Sequence, residues 1–320
     1  MLKRALSLML PMPVRKMLAY AIRPAARAYV QTVPWSYGKL SIYELYDRYI
    51  SWLPHQTTVC TTFGDRMRIS LPDFISRTIY LTGRWEPVIT EYVRSALKEG
   101  DTFVDVGANI GYYSLVASRI VCSSGKVFAV EASPTNYERM TQNLSLNGAT
   151  NIRPINAAAS DSRGELTLFL GPPDNRGHST TVMSLADREG LQPEATVPAD
   201  TLEELVGKRD LRNARLIKID VEGAERAVLA PLFTSLEKFS PETEWLLELA
   251  PDFSASGQGD VDEIFDAFTS RGYYAYSIPN KYEHQFLLSN GTHDSQLTPL
   301  TAAPRDDLND VLMTRLPKAP

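Results

Sequence analysis

The chain has 320 residues, of which 43% are hydrophobic and 22% charged, and this composition excludes intrinsic disorder, collagen-like repetition and a multi-span membrane protein. The formal net charge is −5, but residues 1–43 hold seven basic residues and no acidic one, so the rest of the chain carries −12. An acidic body argues against nucleic acid as a partner, because phosphate contacts need a basic face.

The two cysteines, Cys60 and Cys122, are too few for a disulfide scaffold or a multi-cysteine zinc module. His55, His284 and His293 have no partners at metal-ligand spacing. We therefore expect a cytoplasmic protein in a reducing compartment, with both cysteines as small core residues.

The amino-terminal residues predict a short amphipathic helix. Lys3, Arg4 and the apolar residues after them resemble the start of a secretory signal, but prolines interrupt the stretch and no cleavage site follows, so we do not expect export. From Pro13 to Pro24, which we expect to end the helix, one face is apolar and the other is basic. The apolar face holds Val14, Met17, Leu18, Ala21 and Ile22, and the basic face holds Arg15, Lys16 and Arg23. At roughly 16 Å this helix is too short to cross a bilayer core of about 30 Å. Either its apolar face packs on the protein, or it lies on an anionic membrane surface.

Two regions follow from the pattern of the whole chain. Residues 1–82 predict an accessory region, irregular from residue 28 apart from a strand-like stretch at 67–71. Residues 83–320 alternate apolar strand-length runs with helical stretches, which predicts an α/β domain with a mostly parallel sheet of about seven strands. The predicted strands are 102–106, 127–131, 152–158, 216–220, 245–249, 273–278 and 310–316, with an antiparallel strand at 165–170.

A glycine-rich loop follows the first strand of this domain. Gly107 and Gly111 permit close backbone approach, and Glu131 ends the next strand at the right distance to bind ribose hydroxyls. The spacing is Gly-x-x-x-Gly rather than the Gly-x-Gly-x-x-Gly of dinucleotide sites. Asp105 precedes the loop, and a carboxylate there suits a cationic ligand better than a pyrophosphate. These features favour S-adenosylmethionine.

At this point the sequence resembles the FkbM-type methyltransferases, over about residues 83–316. The resemblance is carried by residues 101–114 (DTFVDVGANIGYYS), 143–148 (NLSLNG) and, most specifically, 217–225 (IKIDVEGAE). One departure is Glu131-Ala-Ser-Pro, where the family usually has Glu-Pro-x-Pro; it puts the turn after Glu131 in doubt, but not Glu131 itself.

The resemblance implies a class I methyltransferase fold, S-adenosylmethionine as cofactor, and methylation of a hydroxyl on a small molecule or saccharide. It implies that Asp105, Gly107, Asn109 and Gly111 face the methionyl and ribose parts and that Glu131 binds ribose. It places Asn156, Ala157 and Asp161 near adenine. For Asn156 and Asp161, turn capping after a strand is the alternative.

Candidate catalytic residues follow the fourth strand. Alternation along the strand points Lys218 and Asp220 the same way, and Asp220 ends the strand where the transferable methyl is expected. Asp220 is therefore our first candidate for the base, with Glu222 beside it and Glu248 at the end of the neighbouring strand. Asp220 and Glu248 could instead bind a divalent metal, and the spacing does not decide between the two roles. Helix capping by Glu222 or a Lys218–Asp220 ion pair is the purely structural alternative.

His178 lies in a polar loop, where it is either an alternative base or a solvent-exposed histidine. Two rival functions remain. A nicotinamide-dependent oxidoreductase is disfavoured by the loop spacing and the lack of a Tyr-x-x-x-Lys pair. A non-catalytic membrane-surface protein with a vestigial ligand fold has only the basic amino end in its support.

Overall fold

The computed structural model describes residues 11–33, 37–49, 55–288, 296–305 and 309–318. They divide into two compact units. The accessory unit contains the chain up to Pro87, with residues 173–176 and 281–293, and the sheet unit contains residues 88–172, 177–280 and 294–320. Among the described residues, no helix combines the length and the hydropathy needed to span a bilayer.

The accessory unit is more regular than its sequence predicts. Its elements are α1 (Met12–Thr32), α2 (Lys39–Tyr49), the hairpin strands β1 (Gln56–Cys60) and β2 (Arg66–Ser70), and α3 (Phe74–Thr82). The expectation that Pro24 ends the first helix is wrong, because α1 continues through it to Thr32. Pro24 cannot donate to the Tyr20 carbonyl, and both residues are exposed, so this lost hydrogen bond falls on the exposed side of the helix.

The sheet unit begins at α4 (Pro87–Ala96) and is built on eight strands. In chain order these are β3 (Thr102–Val106), β4 (Lys126–Val130), β5 (Ile152–Ile155), β9 (Leu216–Ile219), β10 (Glu244–Leu249), β11 (Tyr274–Ile278), β12 (Thr298–Leu300) and β13 (Asn309–Thr314). Their order in the sheet is β12-β11-β13-β10-β9-β3-β4-β5. Strands β10, β9, β3, β4 and β5 are parallel, and β13 lies antiparallel between β10 and β11. This is the strand order of the class I methyltransferase fold, so the predicted fold class is confirmed.

Helices cover the sheet, and a smaller three-stranded sheet follows β5. The helices are α5 (Tyr112–Val121), α6 (Pro134–Asn147), α7 (Met183–Glu189), α8 (Leu202–Val206), α9 (Lys208–Arg212), α10 (Glu225–Leu229), α11 (Gln258–Thr269) and α12 (His284–Leu287), the last in the accessory unit. The smaller sheet has the order β6-β8-β7, from β6 (Ala158–Ala159), β7 (Gly164–Leu170) and β8 (Gln192–Asp200). The single strand predicted at 152–158 is therefore two strands, which belong to different sheets.

The core of the sheet unit is aromatic and aliphatic. Trp245 contacts Phe239 and Phe268 in edge-to-face geometry at centroid distances of 4.8 and 5.4 Å.

The expectation of buried cysteines is wrong, because Cys60 and Cys122 are both exposed. Cys60 ends a hairpin strand, and Cys122 follows α5 with a φ of 56°, so both lie at element ends rather than on a packed face.

Candidate active site

The carboxyl ends of β3, β4, β9 and β10 meet at one edge of the sheet, where ligands bind in open α/β sheets. The loop after β3 approaches the loop after β9 very closely. Gly107 has a φ of 83°, and a Cβ built on it would lie 1.7 Å from the carbonyl oxygen of Asp220. Only glycine satisfies both the backbone conformation and this approach. Gly111, with a φ of 84°, precedes α5 directly.

Glu131 joins the glycine loop to the end of β4. Its buried carboxylate accepts hydrogen bonds from the backbone N–H of Asn109 at 2.7 Å and of Ser133 at 2.9 Å. Burial raises the pKa of Glu131 to about 7 despite these two donors. Each carboxylate oxygen has a second lone pair, so the group can accept two further hydrogen bonds from adjacent hydroxyls.

Asp105, inside β3, has a carboxylate oxygen that lacks a partner. The side chain is fully buried, and the Ser114 hydroxyl donates to Oδ2 at 2.6 Å. Oδ1 has no hydrogen-bond partner among the residues that the structure describes. Burial raises the pKa of Asp105, although the nearby Lys218 ammonium opposes this shift. An orphaned buried oxygen beside a glycine loop fits a ligand with a donor or positive group, and Glu131 fits a ligand with two hydroxyls.

The three residues expected near adenine, Asn156, Ala157 and Asp161, differ in burial and in hydrogen bonding. Asn156 donates from Nδ2 to the carbonyl oxygens of Glu131 at 2.9 Å and Ala132 at 3.2 Å, so it holds the turn after β4. Ala157 is buried. Asp161 is exposed, and its Oδ1 accepts a hydrogen bond from Ser162 at 2.8 Å.

The structure brings together two carboxylates that follow β9 and one near the end of β10. Oxygens of Asp220, Glu222 and Glu248 lie within 4.8 Å of one another. Lys218 is buried, forms an ion pair with Asp220 Oδ2 at 2.6 Å, and lies 5.0 Å from the Tyr113 ring centroid. Sequence reasoning did not single out Tyr113, which lies two residues after Gly111 and whose ring face attracts the Lys218 ammonium.

The protonation states of these carboxylates differ. Burial alone would raise the pKa of Asp220, but the Lys218 ammonium and hydrogen bonds with Glu248 and Lys218 hold it below its usual value. Burial and the charges of Asp220, Glu222 and Asp310 raise the pKa of Glu248 well above normal. The surroundings therefore favour the ionised form of Asp220 and the neutral form of Glu248.

His178 is buried, not solvent-exposed, and lies between two carboxylates. Nδ1 is 3.0 Å from Glu222 Oε2, and Nε2 is 2.7 Å from Glu189 Oε2. The hydrogen bond with Glu222 and the charges of both carboxylates outweigh burial and raise the pKa of His178 to about 9. Sequence reasoning missed Glu189, which ends α7, because neither that helix nor its approach to His178 has a local sequence signal.

Glu222 has a strained backbone as well as a charged partner. Its φ is 52°, which is uncommon for a residue other than glycine, and such strain is often found at functional sites. Burial raises the pKa of Glu222, and the hydrogen bond with His178 opposes the shift. Asp220 and Glu222 thus each have a cationic partner within the chain, Lys218 and His178 respectively. His178 is shared with Glu189, so each of these three carboxylates has a basic partner.

Comparison with known proteins identifies the family. Residues 105–274 match the Methyltransferase FkbM domain family, and this is more than half of the chain. The chain belongs to the FkbM methyltransferase family. The family resemblance of the sequence is thereby confirmed, and the match contains the glycine loop, Glu131, His178 and the cluster after β9.

Two named methyltransferases are similar to part of this chain. The hexuronic acid methyltransferase AglP of Haloferax volcanii is 28% identical over 155 residues, which cover 48% of this chain and 59% of that protein. The methyltransferase sdnD of Sordaria araneosa is 32% identical over 151 residues, covering 39% of this chain and 58% of that protein. The chain thus spans less than three fifths of the length of these relatives. A solved S-adenosylmethionine-dependent O-methyltransferase of Thermotoga maritima aligns with 87% of this chain and 83% of its own, at 14% identity and a TM-score of 0.39.

Proposed function

We propose that this FkbM-family chain transfers a methyl group from S-adenosylmethionine to a hydroxyl of a small molecule or saccharide. One observation carries the proposal: a buried carboxylate and an orphaned buried oxygen flank the glycine loop, and an ion-paired acid lies beside that loop. The relative named as a hexuronic acid methyltransferase supports a saccharide acceptor.

Glu131 and Asp105 would hold the cofactor. Glu131 offers two free lone pairs to the ribose hydroxyls, and Asp105 Oδ1 offers an acceptor to the ammonium of the methionyl part. When bound, S-adenosylmethionine supplies an electrophilic methyl group on its sulfonium sulfur. Asn156 would keep the turn beside Glu131 in place through its bonds to two carbonyl groups, with Ala157 and Asp161 towards the adenine.

Asp220 would position the acceptor hydroxyl and accept its proton. Lys218 keeps the Asp220 carboxylate ionised before the transfer, and the buried, neutral Glu248 donates a hydrogen bond to it. His178 is protonated at neutral pH and lacks a lone pair, so it would orient Glu222 rather than serve as the base. A cluster of carboxylates also favours a neutral hydroxyl over an anionic carboxylate as the acceptor, because like charges repel.

Calorimetry and product analysis test the proposal. We expect binding of S-adenosylmethionine and of S-adenosylhomocysteine, and no binding of NAD; the reverse result would restore the oxidoreductase hypothesis. Labelled methyl from S-adenosylmethionine should then enter a panel of glycosides with free hydroxyls, including uronic acid glycosides. The product should resist mild base, as a methyl ether does. A base-labile product would be a methyl ester and would overturn the choice of a hydroxyl acceptor, and binding without transfer to any glycoside would overturn the saccharide class.

A further inference from the structure

The outward face of α1 is apolar and uncharged. The buried residues of this helix form one stripe, Ala19, Arg23, Ala26 and Val30. Every exposed residue of α1 whose side chain is described is uncharged, and on the side opposite the buried stripe lie Met17, Tyr20, Ala21, Pro24 and Ala28. Met17 and Tyr20 are 65% and 64% exposed. The prediction that the apolar face packs on the protein is therefore wrong: Met17, Ala21 and Ile22 of that face are exposed, whereas Arg23 of the predicted basic face is buried.

The basic residues of α1 that are described face inwards, and the reason is local. Arg27 donates to the carbonyl oxygen of Tyr80 at 2.6 Å and to that of Cys60 at 2.7 Å. Tyr80 lies in the last turn of α3, where helix carbonyl groups lack intrahelical partners. Arg23 is buried beside the Tyr46 hydroxyl. Because these guanidinium groups bind the accessory unit, the apolar face is left on the surface.

Further apolar side chains are exposed in the same part of the chain. Of the nine large hydrophobic side chains most exposed among the described residues, six lie between residues 17 and 45. Besides Met17 and Tyr20 they are Ile22, Tyr37, Leu40 and Leu45. The Tyr29 hydroxyl donates to the Tyr37 carbonyl oxygen at 2.8 Å, so Tyr37 lies beside the carboxyl-terminal part of α1. This stretch of sequence thus holds two thirds of the most exposed large hydrophobic side chains, and Met17 and Tyr20 share the outward face of α1; exposed apolar side chains that lie together mark interaction surfaces.

We propose that this apolar surface of α1 docks on an anionic lipid bilayer. Charge selects this occupant: apart from the inward-facing Arg23, Arg27 and Lys39, residues 1–43 contain four more basic residues, Lys3, Arg4, Arg15 and Lys16, and no acidic one. A second copy of the chain would bring a second set of these four basic residues to the same interface, which opposes a symmetric dimer through this face. An uncharged helical face with an exposed tyrosine, in a basic segment, has the chemistry of a helix that lies in a membrane interface. The proposal does not depend on the proposed methyl transfer.

Vesicle flotation of the full chain tests the proposal. The vesicles contain one part phosphatidylglycerol to two parts phosphatidylcholine, and pure phosphatidylcholine vesicles serve as the neutral comparison. The variant is Met17→Glu with Tyr20→Glu, which adds two carboxylates to the apolar surface. The matched control is Tyr274→Glu with Leu316→Glu, which adds the same charge at exposed hydrophobic positions of the sheet unit. S-adenosylmethionine binding and thermal unfolding are measured in parallel to show that both variants fold.

We expect the native chain and the control to float with anionic vesicles and to dissociate as salt is added. The Met17/Tyr20 variant should bind at least about tenfold more weakly, since it loses apolar insertion and adds repulsion from the lipid charge. Equal flotation of both variants, or equal binding to neutral vesicles, would overturn the proposal. So would a dimer in sedimentation velocity that only the Met17/Tyr20 variant dissociates, because a second copy would then cover the surface.

Discussion

Glu131 is the residue through which pH should control cofactor affinity. Burial raises its pKa to about 7 in the free protein. Ribose hydroxyls donate stronger hydrogen bonds to the ionised carboxylate than to the neutral carboxyl group. Bound cofactor therefore favours the ionised form, and affinity should rise as the pH increases from about 6 to about 8. Protein stability changes in the opposite direction. Because the Glu131 pKa is higher in the folded than in the unfolded chain, the free energy of unfolding should fall as the pH rises from the unfolded pKa to about 7 and then stay constant.

Glu131→Gln isolates this effect. We expect the variant to bind S-adenosylhomocysteine about 10- to 150-fold more weakly at pH about 8, the range for losing hydrogen bonds to a charged group. Calorimetry across the pH range should show that the difference between native chain and variant shrinks towards acid pH. A constant difference would mean that Glu131 does not titrate in this range, and an unchanged affinity would remove it from the cofactor site.

Asp220 should be more important for turnover than its hydrogen-bonded neighbour. Asp220→Asn removes the ionised carboxylate, and we expect a loss of about 10²–10⁴-fold in kcat with cofactor affinity within about twofold of the native chain. Glu248→Gln is the matched control. Because Glu248 is already neutral, its amide replacement keeps a donor to Asp220 and should cost less than about tenfold.

A chelator distinguishes between the two roles considered for Asp220, that of a base and that of a metal ligand. Since Asp220 and Glu222 each already pair with a basic side chain, Lys218 at 2.6 Å and His178 at 3.0 Å, we expect chelation to leave kcat unchanged. Loss of activity with chelator and recovery with Mg²⁺ or Mn²⁺ would instead make Asp220, Glu222 and Glu248 metal ligands, whose oxygens lie close enough for that role.

The candidate site could be predicted from sequence where strand ends supply the residues. Lys218, Asp220 and Glu248 come from the ends of adjacent parallel strands, and the parallel topology brings such residues together. Glu189 could not be predicted, because its approach to His178 depends on how the loop that holds His178 folds against the end of α7. The burial of His178 was missed for the same reason, since a polar loop sequence does not reveal which of its residues turns inwards.

At the scale of elements, the contact between the loops after β3 and β9 should be the part of the site least tolerant of substitution. Gly107→Ala places a Cβ 1.7 Å from a backbone oxygen and requires a left-handed conformation. We expect a loss of about 2–5 kcal/mol in the free energy of unfolding, from conformational strain and overpacking together. Gly148→Ala is the control, because it has a φ of 59° but nothing within 4 Å of its Cβ, and should cost about 1–2 kcal/mol. Equal losses in urea denaturation would show that the loop contact is not tight.

The strands and helices with clean apolar patterns were predicted closely, and the exceptions have physical causes. The bounds predicted for β3 and α5 agree with the structure, because the pattern of apolar residues shows where a buried strand and an amphipathic helix begin and end. Strand β8 was missed because prolines are rare in interior strands. Here β6 pairs only with Ala199 and Asp200 of β8, so Pro193 and Pro198 lie where one edge of β8 is open. For α1, periodicity identified two faces but not which face packs inwards, because carbonyl groups elsewhere in the chain decide where Arg23 and Arg27 lie.

At the scale of the whole molecule, the chain places its last strand inside the main sheet. Strand β13 lies between β10 and β11, with six residue pairs to the first and five to the second. Val311, Leu312 and Met313 are fully buried. The sheet therefore cannot be completed until β13 is available, and its closure depends on contacts between residues far apart in sequence, which slows folding.

A chain that ends at residue 305 should fail to fold cooperatively. It lacks β13, so two interior strands acquire open edges, and three buried side chains are lost at about 1.5–3 kcal/mol each. That sum of roughly 5–9 kcal/mol is comparable with the whole stability of a typical domain, about 5–15 kcal/mol. A chain that ends at Lys318 is the control and should unfold like the full chain in urea, followed by circular dichroism and tryptophan fluorescence. We expect a synthetic peptide of residues 306–318 to restore a cooperative transition to the shorter chain, since it can pair with both open edges. A cooperative transition in the shorter chain without the peptide would show that the sheet closes directly between β10 and β11, against the pairing described above.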